Sequence, residues 1–495
     1  MREDQSASPS RGRESDRFIV PRKPPKEPPV PAGTRRAEGR DRLEGILREM
    51  AKVRTQSREP LPPNLQWVKE AARRDKKARF TALLHHVNVE ALQRAFRRMK
   101  RSASPGVDGE TVGSYERDLG DNLKDLCARL HTGRYRPEPV RRAYIPKPDG
   151  GQRPLGVPTL EDKIVQSAVS EVLNVIYEED FLGFSYGFRP GRNPHQALDM
   201  LRWTLLKENV NWVLDADIRR FFDSVDHEWM MRMLSHRIAD RRVLRLVSQW
   251  LKAGVLESGE WRETDEGTPQ GSCISPLLAN LFLHHVLDLW VHHWRKRFAR
   301  GRVIIVRYAD DFVMGFQYED DGRRFLEELK ARLGKFGLAL HEGKTRLIEF
   351  GTRAAQRRLQ EGQKRPGTFS FLGFTHYVGK TRAGWLTVRM KTESKRLTRK
   401  IKAVREEAWR RMHAPVEMQH AWLSSVLKGH YAYFGTPGNM PALQTFYLQV
   451  LRGWLRCLKR RSQNSRMTWD RLNLLLDVFP LPRPRITHPG KVLAA

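Results

Sequence analysis

Cysteine and long apolar runs are scarce in this chain, and each scarcity excludes a class of protein. The three cysteines, Cys127, Cys273 and Cys457, are far apart and odd in number, so they indicate neither a disulfide framework nor a CxxC zinc site. No apolar run reaches the roughly 18 residues that a membrane-spanning helix needs. The N-terminal segment 1–5 shows no apolar core of a secretory signal. We therefore expect a reducing interior compartment.

Basic residues far outnumber acidic ones, which leaves a large positive charge. Against 90 Lys and Arg stand 57 Asp and Glu, which gives a formal net charge of +33. A protein that lies along a phosphate backbone gains from this excess, because each cation near a phosphate releases counterions. An anionic membrane surface is the other common partner of such a charge. The 39% of hydrophobic residues still suffice for sizeable cores in a chain of 495 residues, which exceeds one ordinary domain.

Composition divides the chain into three parts. Residues 1–40 are rich in Arg, Pro, Ser and Glu and are predicted to be a disordered tail, either inert or a weak RNA-binding arm. Residues 41–380 begin with helical apolar stripes and continue with short β-like runs mixed with helices, which is an α+β pattern. Residues 381–495 carry 22 Lys and Arg against 6 Asp and Glu, so about half of the excess charge lies in a basic, mainly helical region.

Two carboxylates stand between two apolar, β-rich runs. Residues 303–308 and 312–316 flank Asp310 and Asp311, and this order predicts a hairpin with the acids at its tip. Upstream, residues 212–218 predict a strand that ends in acid. Because Asp is common in turns, a solvated turn is the alternative to an active site. The apolar flanks favour a buried hairpin, and on the residues alone both interpretations stay open.

Phosphoryl transfer is the chemistry that such acids fit. This reaction needs little covalent help from a protein, but it needs two Mg²⁺ ions about 3.5–4 Å apart to hold the attacking and leaving oxygens. Mg²⁺ prefers hard oxygen ligands, which the short side chain of Asp can place rigidly. Acids from two neighbouring strands can therefore supply such a metal clamp.

The motifs around the acids resemble those of reverse transcriptases, in the form found in group II intron-encoded proteins and retrons. Tyr-Ala-Asp-Asp at residues 308–311 is similar to their signature, and residues 217–227 resemble their first catalytic motif. The resemblance implies that Asp217, Asp310 and Asp311 are the catalytic triad. It also implies that these three and Ile218 bind two Mg²⁺ ions, for which Mn²⁺ can substitute.

Three other acids near this motif receive different roles. The resemblance places Asp215 outside the triad. We expect Asp223 and Asp226 to organise the adjacent helix, since acids are favoured near a helix N-terminus.

Contacts to an incoming dNTP follow from the same resemblance. Phe222, five residues after Asp217, corresponds to a steric gate against the 2′-OH, with an ordinary core Phe as the alternative. Lys147 and Arg153 flank a Pro-Asp-Gly-Gly turn in a predicted hairpin, where a point charge and a guanidinium fork suit a triphosphate. Simple surface charge is the alternative for this pair. Gln270 belongs to a motif, residues 267–280, that begins a long helix beneath the nascent base pair.

Further segments extend the match. Residues 340–346 resemble the following motif, in which Lys344 is the expected general acid for pyrophosphate, and residues 369–374 resemble the primer-grip hairpin. Residues 181–195 are similar to a stretch specific to group II intron proteins. There Arg189 and Arg192 are expected to contact template phosphates, with a role in holding the loop as the alternative.

The basic C-terminal region resembles the thumb and maturase domain of group II intron proteins, most clearly at residues 428–439. Leu397, Ile401, Val404 and Ala408 form an apolar stripe, and cations fill the other faces of the predicted helix. Aromatic residues among cations suit irregular RNA, whose bases can stack. The expected template and RNA contacts, besides the two arginines above, are Lys395, Arg399, Lys400, Arg410, Arg411, Lys428 and Arg460.

Taken together, the resemblance over roughly residues 65–480 implies a right-hand polymerase with fingers and palm in 41–380, followed by a helical thumb and maturase domain. The expected activity is RNA-directed DNA synthesis on intron RNA from a DNA primer, using dNTPs, with binding of intron RNA for splicing and of target DNA for mobility. No His-Asn-His endonuclease cluster is visible in the sequence. The alternatives are a splicing cofactor without a polymerase role and a domesticated relative used in defence or DNA repair. A bacterial cytoplasmic location, with no membrane partner, goes with each.

Overall fold

The computed structural model of the protein describes residues 61–146, 151–257, 260–262, 267, 271–462 and 465–489. The tail expected at residues 1–40 lies outside these ranges. No helix within them is long and apolar enough to cross a membrane.

Helices dominate the described part of the chain. In chain order the α-helices are α1 (Pro63–Arg74), α2 (Val89–Arg97), α3 (Val112–Tyr115), α4 (Leu119–His131), α5 (Leu160–Asp180), α6 (Pro194–Lys207), α7 (His227–Ser235), α8 (Arg241–Lys252), α9 (Ser275–Leu283), α10 (Leu289–Arg297), α11 (Glu319–Gly334), α12 (Thr352–Gln360), α13 (Ser394–Arg410), α14 (Val416–Phe434), α15 (Met440–Arg460) and α16 (Trp469–Val478). Short 3₁₀ turns form at Leu84–His86 and Phe221–Asp223, and a π-helical segment, His284–Asp288, joins α9 to α10.

The strands form three small sheets. They are β1 (Val140–Pro146), β2 (Gln152–Val157), β3 (Trp212–Asp217), β4 (Val255–Glu257), β5 (Glu260–Arg262), β6 (Val303–Tyr308), β7 (Asp311–Phe316), β8 (Arg346–Glu349), β9 (Phe369–Phe371), β10 (Phe374–Lys380) and β11 (Leu386–Thr392). The sheet orders are β2-β1-β4-β5, β6-β7-β3-β8 and β11-β10-β9. Within them β1 and β4 pair in parallel and the other pairs are antiparallel. This mixture of helices and largely antiparallel sheets is the predicted α+β class.

Local sequence explains where several helices begin. The side chains of Asn88, Thr159 and Asn193 each accept a backbone N–H in the first turn of the helix that follows. Asp226 caps α7 in the same way by accepting the Trp229 N–H at 2.8 Å. Such caps stabilise a helix by about 1 kcal/mol each. The expected role of Asp226 in organising this helix is confirmed, whereas Asp223 lies exposed in the 3₁₀ turn before it.

The sheet β6-β7-β3-β8 lies between two hydrophobic cores, because its side chains alternate between its two faces. Leu214, Phe312 and Met314 belong to the core built with α5, α9 and α11. Val213 and Val313 face the opposite way, into the core that also contains residues of α14 and α15. The second core therefore joins the sheet to the C-terminal helices.

This shared core bears on the compositional change at residue 381. That residue lies in the turn between β10, which ends at Lys380, and β11, which begins at Leu386. Seven residue pairs join the two strands, from Phe374 opposite Thr392 to Lys380 opposite Leu386. The charge of the surface thus changes near residue 381, while the strand pairing and the hydrophobic core continue across it. The proposed domain boundary at 380/381 stays a prediction.

Candidate active site

Strand register brings the candidate catalytic acids together. Asp217, the last residue of β3, pairs with Asp311, the first residue of β7. Asp311 also pairs with Tyr308 at the end of β6, so Ala309 and Asp310 form the two-residue turn of the β6–β7 hairpin. Directly opposed residues of an antiparallel pair lie on one face with Cβ atoms about 4.5–5.5 Å apart. The hairpin is as predicted, and the acids of two strands meet at one edge of the sheet.

The hairpin turn is strained and closely packed. Ala309 has a φ of 58°, a left-handed conformation that costs a residue with a side chain of order 1–3 kcal/mol. Gly187 lies against this turn: a Cβ on Gly187 would be 2.2 Å from the Ala309 nitrogen. Only glycine fits that approach. The stretch 181–195, singled out in the sequence, therefore packs against the turn that carries Asp310.

A buried hydrogen-bond network fixes the same turn. The Arg307 guanidinium donates to both Asp288 oxygens, at 2.7 and 2.5 Å, and to the Ala309 carbonyl at 2.9 Å. It also donates to Asn280 Oδ1 at 3.0 Å, and Asn280 Nδ2 donates to the Gly187 carbonyl at 2.7 Å. Arg307 and Asp288 are completely buried. Sequence reasoning missed this network, although a charged residue within the apolar run 303–308 was a signal of a buried partner.

Negative charge accumulates at the catalytic edge. Burial, together with the neighbouring carboxylates of Asp310, Asp215 and Asp217, raises the pKa of Asp311 to about 7. The nearby backbone N–H of Leu372 opposes this rise of the pKa. Hard oxygen donors that repel one another in a half-buried site match the requirement of a divalent cation. Within the described ranges no cluster of three or more His, Cys, Asp or Glu side chains forms a ready-made metal site.

Two cations pair with the acids of β3. Lys344 Nζ donates to Asp217 Oδ2 at 2.7 Å. Arg346 pairs with Asp215 at 3.4 Å, which partly offsets the rise in the Asp215 pKa that burial causes. Lys344 therefore partly neutralises the carboxylate of Asp217. The carboxylate of Asp215 is paired separately, with Arg346.

The loop that carries Lys344 is held to the end of β3 by backbone pairing. Ile218 forms an isolated bridge with Leu340, and the His341 N–H donates to the Asp217 carbonyl at 2.8 Å. Ile218 is thus held beside this loop directly after β3, and its expected role at a metal site stays a prediction.

The candidate steric gate lies beside the motif that begins the long helix. Phe222 sits half-buried in the 3₁₀ turn, edge-on to Phe221 with ring centroids 5.3 Å apart. Gly267 approaches its backbone so closely that a Cβ there would be 3.0 Å from the Phe222 carbonyl oxygen. A Cβ on Gly271 would lie 2.6 Å from the Gly156 carbonyl of β2. The glycines at 267 and 271 therefore allow the segment 267–280 to pack closely against the backbone of Phe222 and against the β1–β2 hairpin.

The expected triphosphate contacts are only partly within the described residues. Lys147 and Gln270 lie outside them. Arg153 pairs with Ile145 in the β1–β2 hairpin, and its side chain is not among the described ones. The strands on either side of the Pro-Asp-Gly-Gly segment, β1 and β2, pair as the predicted hairpin requires.

The side chains of Arg189 and Arg192 contact other protein groups, whereas an arginine that binds template phosphate would face solvent. The Arg189 guanidinium is 5% exposed, pairs with Glu178 at 3.0 Å, and donates to the Leu182 and Ser185 carbonyls. Arg192 donates to the Gly183 carbonyl at 2.7 Å, and burial lowers its pKa to about 10. These contacts favour the loop-holding alternative, because they direct both guanidinium groups into the protein.

The basic C-terminal helices present cations to solvent. The apolar stripe of α13 packs inward as predicted, with Val404 and Ala408 buried. Arg410 and Arg411 pair with Glu407, and Arg460 lies over the Trp409 ring at 5.8 Å. The expected RNA contacts that are exposed in this region are Lys395, Arg399, Lys400, Arg410, Arg411, Lys428 and Arg460.

A groove of about 520 Å³ separates α13 from α14. Arg396, Lys400, Trp422 and His430 line it together with apolar side chains, and none of the described lining residues is acidic. Burial and the nearby Lys400 lower the pKa of His430 to about 4, so its imidazole is neutral at pH 7. Cations, aromatic rings and a neutral imidazole are groups that bind nucleotides.

Comparison with known proteins agrees with these motifs. A family model described as reverse transcriptase (RNA-dependent DNA polymerase) matches residues 145–376. Protein YkfC of Escherichia coli is 35% identical over 306 residues, which are 54% of this chain and 80% of that protein. The group II intron-encoded protein LtrA of Lactococcus lactis is 38% identical over 204 residues, 41% of this chain but only 33% of LtrA. A putative COX1/OXI3 intron 1 protein of Saccharomyces cerevisiae is 31% identical over 217 residues, 44% of this chain and 26% of that protein.

Proposed function

This chain belongs to the reverse transcriptases of the group II intron type, and on that premise we propose that it copies intron RNA into DNA and binds that RNA to assist splicing. The pairing of Asp217 with Asp311, beside Asp310 in the turn, carries the proposal. Extension of a DNA primer on an RNA template with dNTPs and Mg²⁺ tests it. Absence of any extension by the full chain would contradict the polymerase assignment.

The parts of a right hand can be assigned on this proposal. The sheet β6-β7-β3-β8 is the palm, and the β1–β2 hairpin with the preceding helices forms the fingers. The helices α13 to α15 form the thumb, continuous with the maturase region. The core shared between the sheet and α14 and α15 supports this assignment, because it fixes the basic helices relative to the catalytic edge.

Each residue of the site receives a role in nucleotide addition. Asp217, Asp310 and Asp311, with the Ile218 backbone, would hold two Mg²⁺ ions, which stabilise the attacking and leaving oxygens when bound. Lys147 and Arg153 would bind the triphosphate, and Gln270 would contact the nucleotide. Lys344 would donate a proton to the departing pyrophosphate once its contact with Asp217 is released, and its closeness to Asp217 supports this role.

Discrimination between sugars is assigned to Phe222. Replacing it with alanine removes the ring that would meet a 2′-OH, so we expect rNTP incorporation relative to dNTP to rise on the order of tens-fold to a hundredfold. Competitive single-nucleotide extension measures this ratio. Phe222→Tyr keeps the bulk and should keep the preference. Equal ratios for Phe222→Ala and the unaltered protein would leave Phe222 as a packing residue.

Binding of RNA is assigned to the basic helices and their groove. Lys395→Gln with Arg399→Gln should weaken RNA binding and reduce the slope of log affinity against log salt by about 2, because each lost phosphate contact removes about one. Fluorescence anisotropy of a labelled intron RNA at several salt concentrations measures the slope. Arg323→Gln with Lys330→Gln is the control, since it removes equal charge from α11, where both cations pair with nearby glutamates. An equal change of slope in the control would mean that net charge, and not this helix, sets the affinity.

Splicing assistance without polymerisation is the second candidate, which the RNA-suited groove favours independently of the triad. Asp310→Ala separates the two roles. A variant that loses primer extension and still promotes intron splicing would show that both functions reside in this chain. A host locus without an intron RNA would instead favour the domesticated alternative.

A further inference from the structure

Phe188 combines an unfavourable backbone conformation with an exposed apolar ring. Its φ is 57°, in the left-handed region, where a bulky side chain is a genuine outlier. The side chain is nevertheless 52% exposed, so burial of the ring does not compensate for this strain. A strained residue persists only where its surroundings fix it, and such residues cluster at functional sites. The ring of Phe188 therefore calls for a role outside the hydrophobic cores.

The residues on either side of Phe188 fix its backbone. The Gly187 carbonyl accepts a hydrogen bond from Asn280 Nδ2 at 2.7 Å. The guanidinium of Arg189 turns inward and donates to two backbone carbonyls, each at 2.8 Å. Within residues 184–189 only the side chain of Phe188 is exposed. A rigid, otherwise buried segment thus presents one aromatic ring to solvent.

This segment lies against the catalytic turn. A Cβ on Gly187 would be 2.2 Å from the Ala309 nitrogen. Because consecutive Cα atoms are about 3.8 Å apart, the Cα of Phe188 lies within about 8 Å of that nitrogen. A nucleic-acid duplex, with grooves roughly 6–12 Å wide, is broader than this distance. A duplex whose primer end reaches Asp310 and Asp311 therefore passes within reach of the Phe188 ring.

We infer that the Phe188 ring is a binding residue for the primer–template duplex, packing against its sugars and base edges beside the catalytic acids. The inference rests on the proposed polymerase function. An uncharged ring that makes apolar contacts does not read the hydrogen-bonding pattern that distinguishes the bases, so it suits an enzyme that copies any sequence. The left-handed backbone, fixed by Gly187 and Arg189, keeps the ring in solvent until the duplex covers it.

Phe188→Ala removes the ring and tests the inference in the full chain. We expect the Kd for a labelled RNA template annealed to a DNA primer to rise on the order of tenfold, because apolar burial is lost. The slope of log affinity against log salt should stay unchanged, since an uncharged ring releases no counterion. Fluorescence anisotropy at several salt concentrations measures both quantities.

Phe298→Ala is the matched control. Phe298 is also exposed, at 38%, and it precedes β6 at the end remote from the catalytic turn. The six residues of β6, which span roughly 17–20 Å, separate it from that turn. This control should leave the Kd for primer–template near the value of the unaltered protein.

A second variant distinguishes substrate binding from a structural role. Asparagine adopts the left-handed conformation more readily than phenylalanine, so Phe188→Asn should melt at an equal or higher temperature. It should nevertheless bind primer–template as weakly as Phe188→Ala. An active unaltered protein whose Kd is unchanged by Phe188→Ala, or is raised equally by Phe298→Ala, would overturn the inference. An unaltered protein that does not extend the primer would instead overturn the proposed function on which it rests.

Discussion

Asp311→Asn should abolish primer extension, with a loss on the order of a thousandfold or more, while the protein stays folded. The amide has nearly the shape of the carboxylate, so the pairing of Asp311 with Asp217 and Tyr308 should persist. It lacks the negative charge that a metal clamp needs, and losing several kcal/mol of transition-state stabilisation corresponds to such a factor. Rapid single-nucleotide extension with saturating Mg²⁺ measures it.

Stability should move in the opposite direction. Burial and the surrounding carboxylates raise the pKa of Asp311 to about 7. A raised carboxylate pKa means that ionising Asp311 opposes folding: the penalty grows as the pH rises from the ordinary carboxyl pKa to about 7, and it is fully present at pH 8. The neutral amide removes the penalty, so the Asp311→Asn protein should melt at an equal or higher temperature in metal-free buffer at pH 8. A large fall in melting temperature would mean that lost activity reflects unfolding.

Asp215→Asn is the matched control for this prediction. Asp215 lies two residues before Asp217 in β3, so it projects from the same face of the sheet, and it pairs with Arg346. Because Asp215 pairs with a cation outside the triad, Asp215→Asn should remove only the energy of a partly exposed ion pair. We therefore expect primer extension to fall less than about tenfold. Equal, large losses in both variants would contradict the assignment of the triad.

How much of this site the sequence could predict depends on the range of the interactions. The β6–β7 hairpin is local, and its apolar runs and the position of Asp310 and Asp311 predicted it. The partnership of Asp217 with Asp311 joins residues 94 positions apart. Only the resemblance to reverse transcriptases indicated it, since spacing within one strand says nothing about its neighbour.

Other features needed the structure for a different reason. The role of Gly187 resides in its backbone, which lies close against Ala309. Residue type hardly reveals such roles. For Arg189, a positive charge in a family-specific motif predicted a contact with template phosphate. In the structure Arg189 is buried and pairs with Glu178, so its guanidinium stabilises the loop instead.

Arg307→Met should destabilise the protein by about 3–5 kcal/mol, because it leaves the completely buried Asp288 without its cation. The loss should appear as a marked fall in the melting temperature and in the denaturant midpoint. Arg346→Met breaks the Asp215 pair, whose arginine is more than half exposed, and should cost at most about 1 kcal/mol. Comparable losses in the two variants would contradict the weight given to the buried network.

A double replacement separates the stability of this network from its effect on the catalytic turn. Arg307→Met with Asp288→Leu removes both buried charges, and such apolar replacement is often neutral or better, so much of the lost stability should return. Activity should not return with it, since the Ala309 carbonyl and Asn280 Oδ1 would still lack the guanidinium that ties them together. Without the hydrogen bonds from Arg307, the strained turn at Ala309 should no longer hold Asp310 and Asp311 in one geometry. Recovery of both stability and full primer extension would show that Arg307 serves only the core.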